Sequence, residues 1–100
     1  MNYKVDDILS CSWGYDQTNV DFYQVVGLTP KSIKIRKIDQ YTVSSETGTD
    51  LVAPVPNAFT SDKVMTKLVD KYDSVKISSY SSAYKWDGKP QYQTAVGYGH

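Results

Sequence analysis

Two runs of β-branched and aromatic residues constrain this chain more than any other feature: VDFYQVVGL at 20–28 and SIKIRKID at 32–39. In the first, Val20, Phe22 and Gln24 alternate with Asp21, Tyr23 and Val25; in the second, Ile33 and Ile35 alternate with Lys34 and Arg36. A period of two puts successive side chains on opposite faces of an extended strand. Between the runs, Thr29-Pro30-Lys31-Ser32 supplies a turn whose proline fixes φ, so the segment reads as a β-hairpin.

Other strands follow from the same reasoning. Lys4 to Trp13 reads as a strand carrying Val5, Ile8, Leu9, Cys11 and Trp13, with a turn or bulge at Asp6-Asp7. Gly14 to Asn19 reads as a loop, because glycine, aspartate and asparagine are turn formers. Residues 41–60 are expected to form a mobile loop: Tyr41 to Asp50 holds little apolar area, and Pro54 and Pro56 fit an edge or an extended connector. SDKVMTKLVD at 61–70 suits either a strand or one short helix, and the valines favour the strand. Lys71-Tyr72-Asp73 then turns into an alternating SVKISSY at 74–80. Asp87-Gly88 predicts a further hairpin turn, with Tyr84, Trp86 and Tyr92 able to pair across it.

About five short strands in one 100-residue domain predict a mainly β fold: a small SH3-like barrel or a strongly curved antiparallel sheet, with room for one short helix.

Eleven basic and eleven acidic residues cancel, so no long-range field favours phosphate or an anionic membrane. There is no apolar run of spanning length, and the lone Cys11 cannot make an intramolecular disulfide, which fits a reducing cytoplasm. Cys11 and His100 are the only nucleophile and base of their kind, and two such residues are too few for a structural zinc site. Asp6, Asp7, Asp16 and Asp21 leave open a small enzyme or a cation site built on carboxylates. Neither phosphate-cradling glycine motif occurs. The composition implies no cofactor and no metal.

Two surfaces remain as candidates. Lys31, Lys34, Arg36 and Lys37 form a basic cluster that could present Lys34 and Arg36 to single-stranded nucleic acid beside exposed rings, or could be an ordinary solvated strand face. Nine tyrosines and two tryptophans point toward contact surfaces as well as strands, since these rings offer rigid area with one polar handle. They gather near Tyr15, Asp16 and Gln17, and near Tyr84, Trp86 and Asp87, among small polar neighbours. The tryptophans favour core packing; Tyr15 and Tyr84 suit either core or surface.

The runs SWGYDQTNVDFYQVVGLTPKSIKIR and SSYSSAYKWDGKPQYQT, with the terminal GYGH, resemble a family of small uncharacterised proteins encoded by bacteriophages and prophages. The similarity spans about the first forty and the last twenty-five residues. It implies an accessory protein in the bacterial cytoplasm that works by contact with a host or phage protein, or with nucleic acid, interference with host defence being one such role. The family brings no catalytic residues to transfer. The expectation is therefore a non-enzymatic binding module that contacts a macromolecule through Tyr15, Asp16, Gln17, Tyr84, Trp86 and Asp87.

Overall fold

A computed structural model describes residues 2–14 and 17–94. Its elements are all strands: β1 (Ile8–Trp13), β2 (Asn19–Leu28), β3 (Ser32–Glu46), β4 (Thr49–Phe59), β5 (Met65–Leu68), β6 (Ser74–Ser78), β7 (Ser81–Lys85) and β8 (Gln91–Thr94). They form one antiparallel sheet in the order β6-β7-β1-β2-β3-β4-β8, with β5 paired to the first part of β3. The mainly β expectation is met, with more strands than the five foreseen.

The hairpin read from the sequence is β2 with β3, in register from Phe22 opposite Ile38 to Leu28 opposite Ile33. A bulge between Val25 and Gly27 bends β2. Beyond β5 the chain turns at 71–73, and a bridge between Val69 and Val75 joins the end of β5 to β6. The strands β1, β2, β3, β5, β6 and β7 thereby curl into a ring. The ring encloses Leu9, Cys11, Tyr23, Val25, Ile33, Ile35, Val75 and Ala83.

Alternation sends the other half of these side chains outward, and they are also buried. Val20, Phe22 and Ile38 leave the ring's outer face and meet Val52 of β4, with Ile8, Phe59 and Trp86 packed around them. β2 thus separates two apolar clusters, which is why its middle is buried on both faces. Each large side chain removed from water there contributes about 1.5–3 kcal/mol.

The segment 41–60, expected to be a loop, is instead the outer half of β3 and all of β4, joined at Thr47-Gly48. Register shifts near Asp39 and Val43 curve this hairpin, and β8 pairs with β4 from Thr49 opposite Thr94 to Val52 opposite Gln91. β4 is paired on both sides, by β3 and by β8, and Val52, Ala53 and Pro54 in its middle are buried. A second correction concerns Asp87-Gly88: Gly88 adopts φ 86, as a turn requires, but β7 and β8 do not pair with each other. β7 pairs with β1 and β6, while β8 crosses to β4. Within 61–70 the strand β5 covers Met65–Leu68, and no helix occurs among the described residues. None of its elements is a helix long and apolar enough to cross a membrane.

Candidate functional site

Tyr84 stands on the outer face of β7, directly opposite Ser10 of β1, and is 57% exposed. Inward positions such as Leu9 and Ala83 fill the ring, so Ser10, Ser12, Ser82 and Tyr84 must face out. The chain leaving β7 then folds back over this face. Trp86 donates its backbone N–H to the Ile8 carbonyl at 2.8 Å and its indole Nε1–H to the Lys89 carbonyl at 2.7 Å. Gln91 Nε2 donates to the same carbonyl at 3.2 Å, and Asp87 Oδ1 accepts the Lys89 backbone N–H at 2.9 Å. These bonds fix the segment that bears Asp87 and Gln91.

The result is a groove of about 360 Å³ lined by Ser10, Ser12, Ser82 and Tyr84 of the outer sheet face and by Asp87 and Gln91 of the segment that folds over it. That volume falls in the range of about 300–1,000 Å³ typical of small-ligand sites. Lys85 borders the groove, yet its ammonium is engaged elsewhere, donating to the Asn2 carbonyl at 2.9 Å and lying 3.5 Å from Asp7. Ser10, Ser12 and Ser82 bring three hydroxyls to the groove. The groove therefore offers hydroxyls, a carboxylate, a carboxamide and an exposed ring face.

In the two other large hollows the carboxylates at the centre are already engaged by neighbouring groups. A broader one of about 510 Å³ lies against the 69–73 turn. There Asp70 accepts from the backbone of Tyr72 and Ser74 and from the Ser74 hydroxyl, and these bonds hold its carboxyl below the usual value. Asp73 in the same hollow accepts from Asn2 at 2.8 Å. The second hollow, about 340 Å³, contains Asp21 bonded to the Trp13 indole at 2.8 Å and paired with Lys37 at 3.2 Å.

The residues singled out from sequence are scattered differently than expected. Trp86 is a packing residue: its ring meets Phe22 edge-on, with centroids 6.2 Å apart. Trp13 is partly exposed at the strand end. Gln17 is exposed. Tyr15 and Asp16, and His100, lie outside the described residues. The loop between β1 and β2 depends on Gly14, at φ 127, because a Cβ there would lie 2.0 Å from the Gln17 carbonyl oxygen.

The basic cluster does not form one platform. Arg36 lies 4.1 Å over the Phe59 ring, donates Nε–H to the Ser61 carbonyl at 3.0 Å and pairs with Asp62 at 3.2 Å. Lys37, one residue along the strand, points to the opposite face and pairs with Asp21. Lys34 stays exposed, its stem lying across Gly27.

The carboxylates disperse as well. Asp6 accepts from Gln24 at 3.0 Å, Asp7 from the Lys4 backbone at 2.9 Å, and Asp21 from Trp13. Among the described residues no three His, Cys, Asp or Glu side chains come close enough to hold an ion. Cys11 is buried in the ring, and burial pushes its thiol up, away from the reactive thiolate, against a smaller opposing effect of Ser81.

Ser10, Ser12, Ser82 and Gln91 were not foreseen as site residues. The one available signal was the density of serine on the polar phase of β1 and in SSYSSAY beside a tyrosine. No protein-family model, curated protein or solved structure matches this chain.

Proposed function

We propose that this domain is a non-enzymatic binding module that engages a macromolecular partner through the groove between β1, β7 and the 86–91 segment. One observation carries the reading: Tyr84 exposes its ring beside a concave, hydrogen-bonding surface, and the segment folded over it is fixed by Trp86 and Lys89. Contact sites concentrate their binding energy in such rigid rings set among polar groups. Preorganisation of that segment lowers the entropy lost on binding.

The resemblance to phage and prophage proteins supports a setting in the bacterial cytoplasm and an accessory role, with contact to a host or phage macromolecule as the mode of action. Fold alone would not imply that role. The test is affinity capture from a bacterial lysate with the wild-type protein and with Tyr84→Ala. A partner retained by the wild type and lost by the folded variant supports the groove. Equal capture by both removes Tyr84 from the contact surface.

A further inference from the structure

We infer that the ligand seated in the Tyr84 groove is a neutral sugar ring, displayed on a glycan of the partner; this rests on the groove being the contact site. The argument begins with charge. Among the described residues two charged side chains line the groove, and Lys85 is neutralised by Asp7 and directed to the Asn2 carbonyl, which leaves the charge of Asp87. A phosphate or nucleic-acid ligand would face a carboxylate with no cation to oppose it.

Hydrogen-bonding capacity narrows the ligand further. Serine hydroxyls both donate and accept, Gln91 does the same through its two amide atoms, and an ionised Asp87 only accepts. Asp87 Oδ1 already receives the Lys89 N–H, so Oδ2 is left to accept a donor from the ligand. A surface of mixed donors and acceptors at several close positions matches a molecule that carries several hydroxyls on a compact ring. The remaining lining is an aromatic face, and a pyranose has a C–H face that can lie flat on such a ring while its hydroxyls turn toward the serines. A peptide side chain would satisfy one or two of these groups and leave the rest to water.

The size is consistent. A solvent-open groove of about 360 Å³ accommodates one or two sugar rings. Multivalent display of such rings would raise the overall affinity by avidity without any new contact.

The test is a titration of the isotope-labelled full chain, followed by amide chemical shifts, with maltose, cellobiose, lactose and N,N′-diacetylchitobiose, and with digalacturonic acid as the anionic arm. Expected are shifts gathered on Ser10, Ser12, Ser82, Tyr84 and Gln91 with at least one neutral disaccharide, and none with digalacturonic acid. Tyr84→Phe should keep that affinity, while Tyr84→Ala should weaken it about tenfold or more. Absence of shifts with every neutral sugar at millimolar concentration overturns the inference, as does stronger binding of the anionic sugar. If sugars fail but Tyr84→Ala still loses a captured partner, the ligand is a peptide surface and the binding-module reading survives. If sugars fail and capture is unchanged, both readings fall.

Discussion

Gln24 holds Asn57 by two reciprocal hydrogen bonds, its Nε2 donating to Asn57 Oδ1 at 3.0 Å and its Oε1 accepting the Asn57 backbone N–H at 2.8 Å. Gln24 is 2% exposed, and the same Nε2 also donates to Asp6 at 3.0 Å. Asn57 and Asp6 both adopt positive φ, at 66° and 78°. One buried carboxamide therefore pins two left-handed turns, one before β1 and one in β4.

Replacing Gln24 with leucine keeps the volume and removes all three bonds. Urea denaturation should show a loss of about 1–3 kcal/mol, the cost of unpairing such a group. Asn57→Gly should cost less than Asn57→Ala, since alanine at positive φ adds about 1–2 kcal/mol of strain. An Asn57→Ala variant as stable as Asn57→Gly would mean that the left-handed geometry at this position is not obligatory.

Alkaline stability should be governed by two ring hydroxyls. Burial, with the Asp73 carboxylate adding to it, pushes Tyr3 up to about 12; burial, with Asp21 adding, pushes Tyr23 up to about 12. Below pH 10 both are protonated whether the chain is folded or not, and the contribution is complete. Above it the unfolded chain releases these protons first, so stability falls as pH rises from 10 toward 12. A Tm series across that window should decline, and Tyr23→Phe should flatten the decline. A Tm that does not respond between pH 10 and 12 contradicts the burial of both hydroxyls.

Trp86 and Tyr84 are two residues apart and should behave oppositely. Trp86 packs edge-on against Phe22 in the outer cluster, so Trp86→Ala should cost about 3 kcal/mol, the low end for a large aromatic. Tyr84→Ala, which uncovers only an exposed ring, should change stability by no more than about 0.5 kcal/mol. Denaturant midpoints decide the matter. Equal losses for the two would show Tyr84 to be part of the packing and would remove it as a contact residue.

The contrast between those two aromatics shows what the sequence could convey. Where alternation coincides with burial, as at Phe22, Tyr23, Ile33 and Ile35, strand, face and core position are all legible. The hairpin tip at 41–50 gave no such signal, because both of its faces at Tyr41 to Glu46 meet solvent and apolar residues have no reason to alternate there. Its Thr, Tyr and Val content carries strand propensity, but its polarity is equally that of a loop. Asp87-Gly88 looked like a hairpin turn because local geometry is all that a dipeptide encodes. That β8 crosses to β4 depends on pairing set by residues forty positions earlier. The groove was half legible: Tyr84 and Asp87 stood out by type, whereas Ser10, Ser12 and Ser82 matter only through a juxtaposition that no single segment contains.

Arg36 provides the last prediction, because its surroundings separate a structural role from a nucleic-acid role. Its guanidinium lies over Phe59, donates to Ser61 and pairs with Asp62, whose side chain is fully exposed. The exposed ion pair is worth about 0–1 kcal/mol and the ring contact about 0.5–1 kcal/mol, so Arg36→Ala should cost about 1–2 kcal/mol in urea. Arg36→Lys should not restore it, since an ammonium cannot stack flat and donate from a planar fork together. With Arg36 engaged and Lys37 paired on the opposite face, Lys34 is left from that strand to meet a phosphate. Affinity for a single-stranded oligonucleotide should then show a salt slope no steeper than about −0.7, the value for one neutralised phosphate. A slope several times steeper that Arg36→Ala reduces, with stability unchanged, would reverse the assignment and make the strand face a nucleic-acid surface.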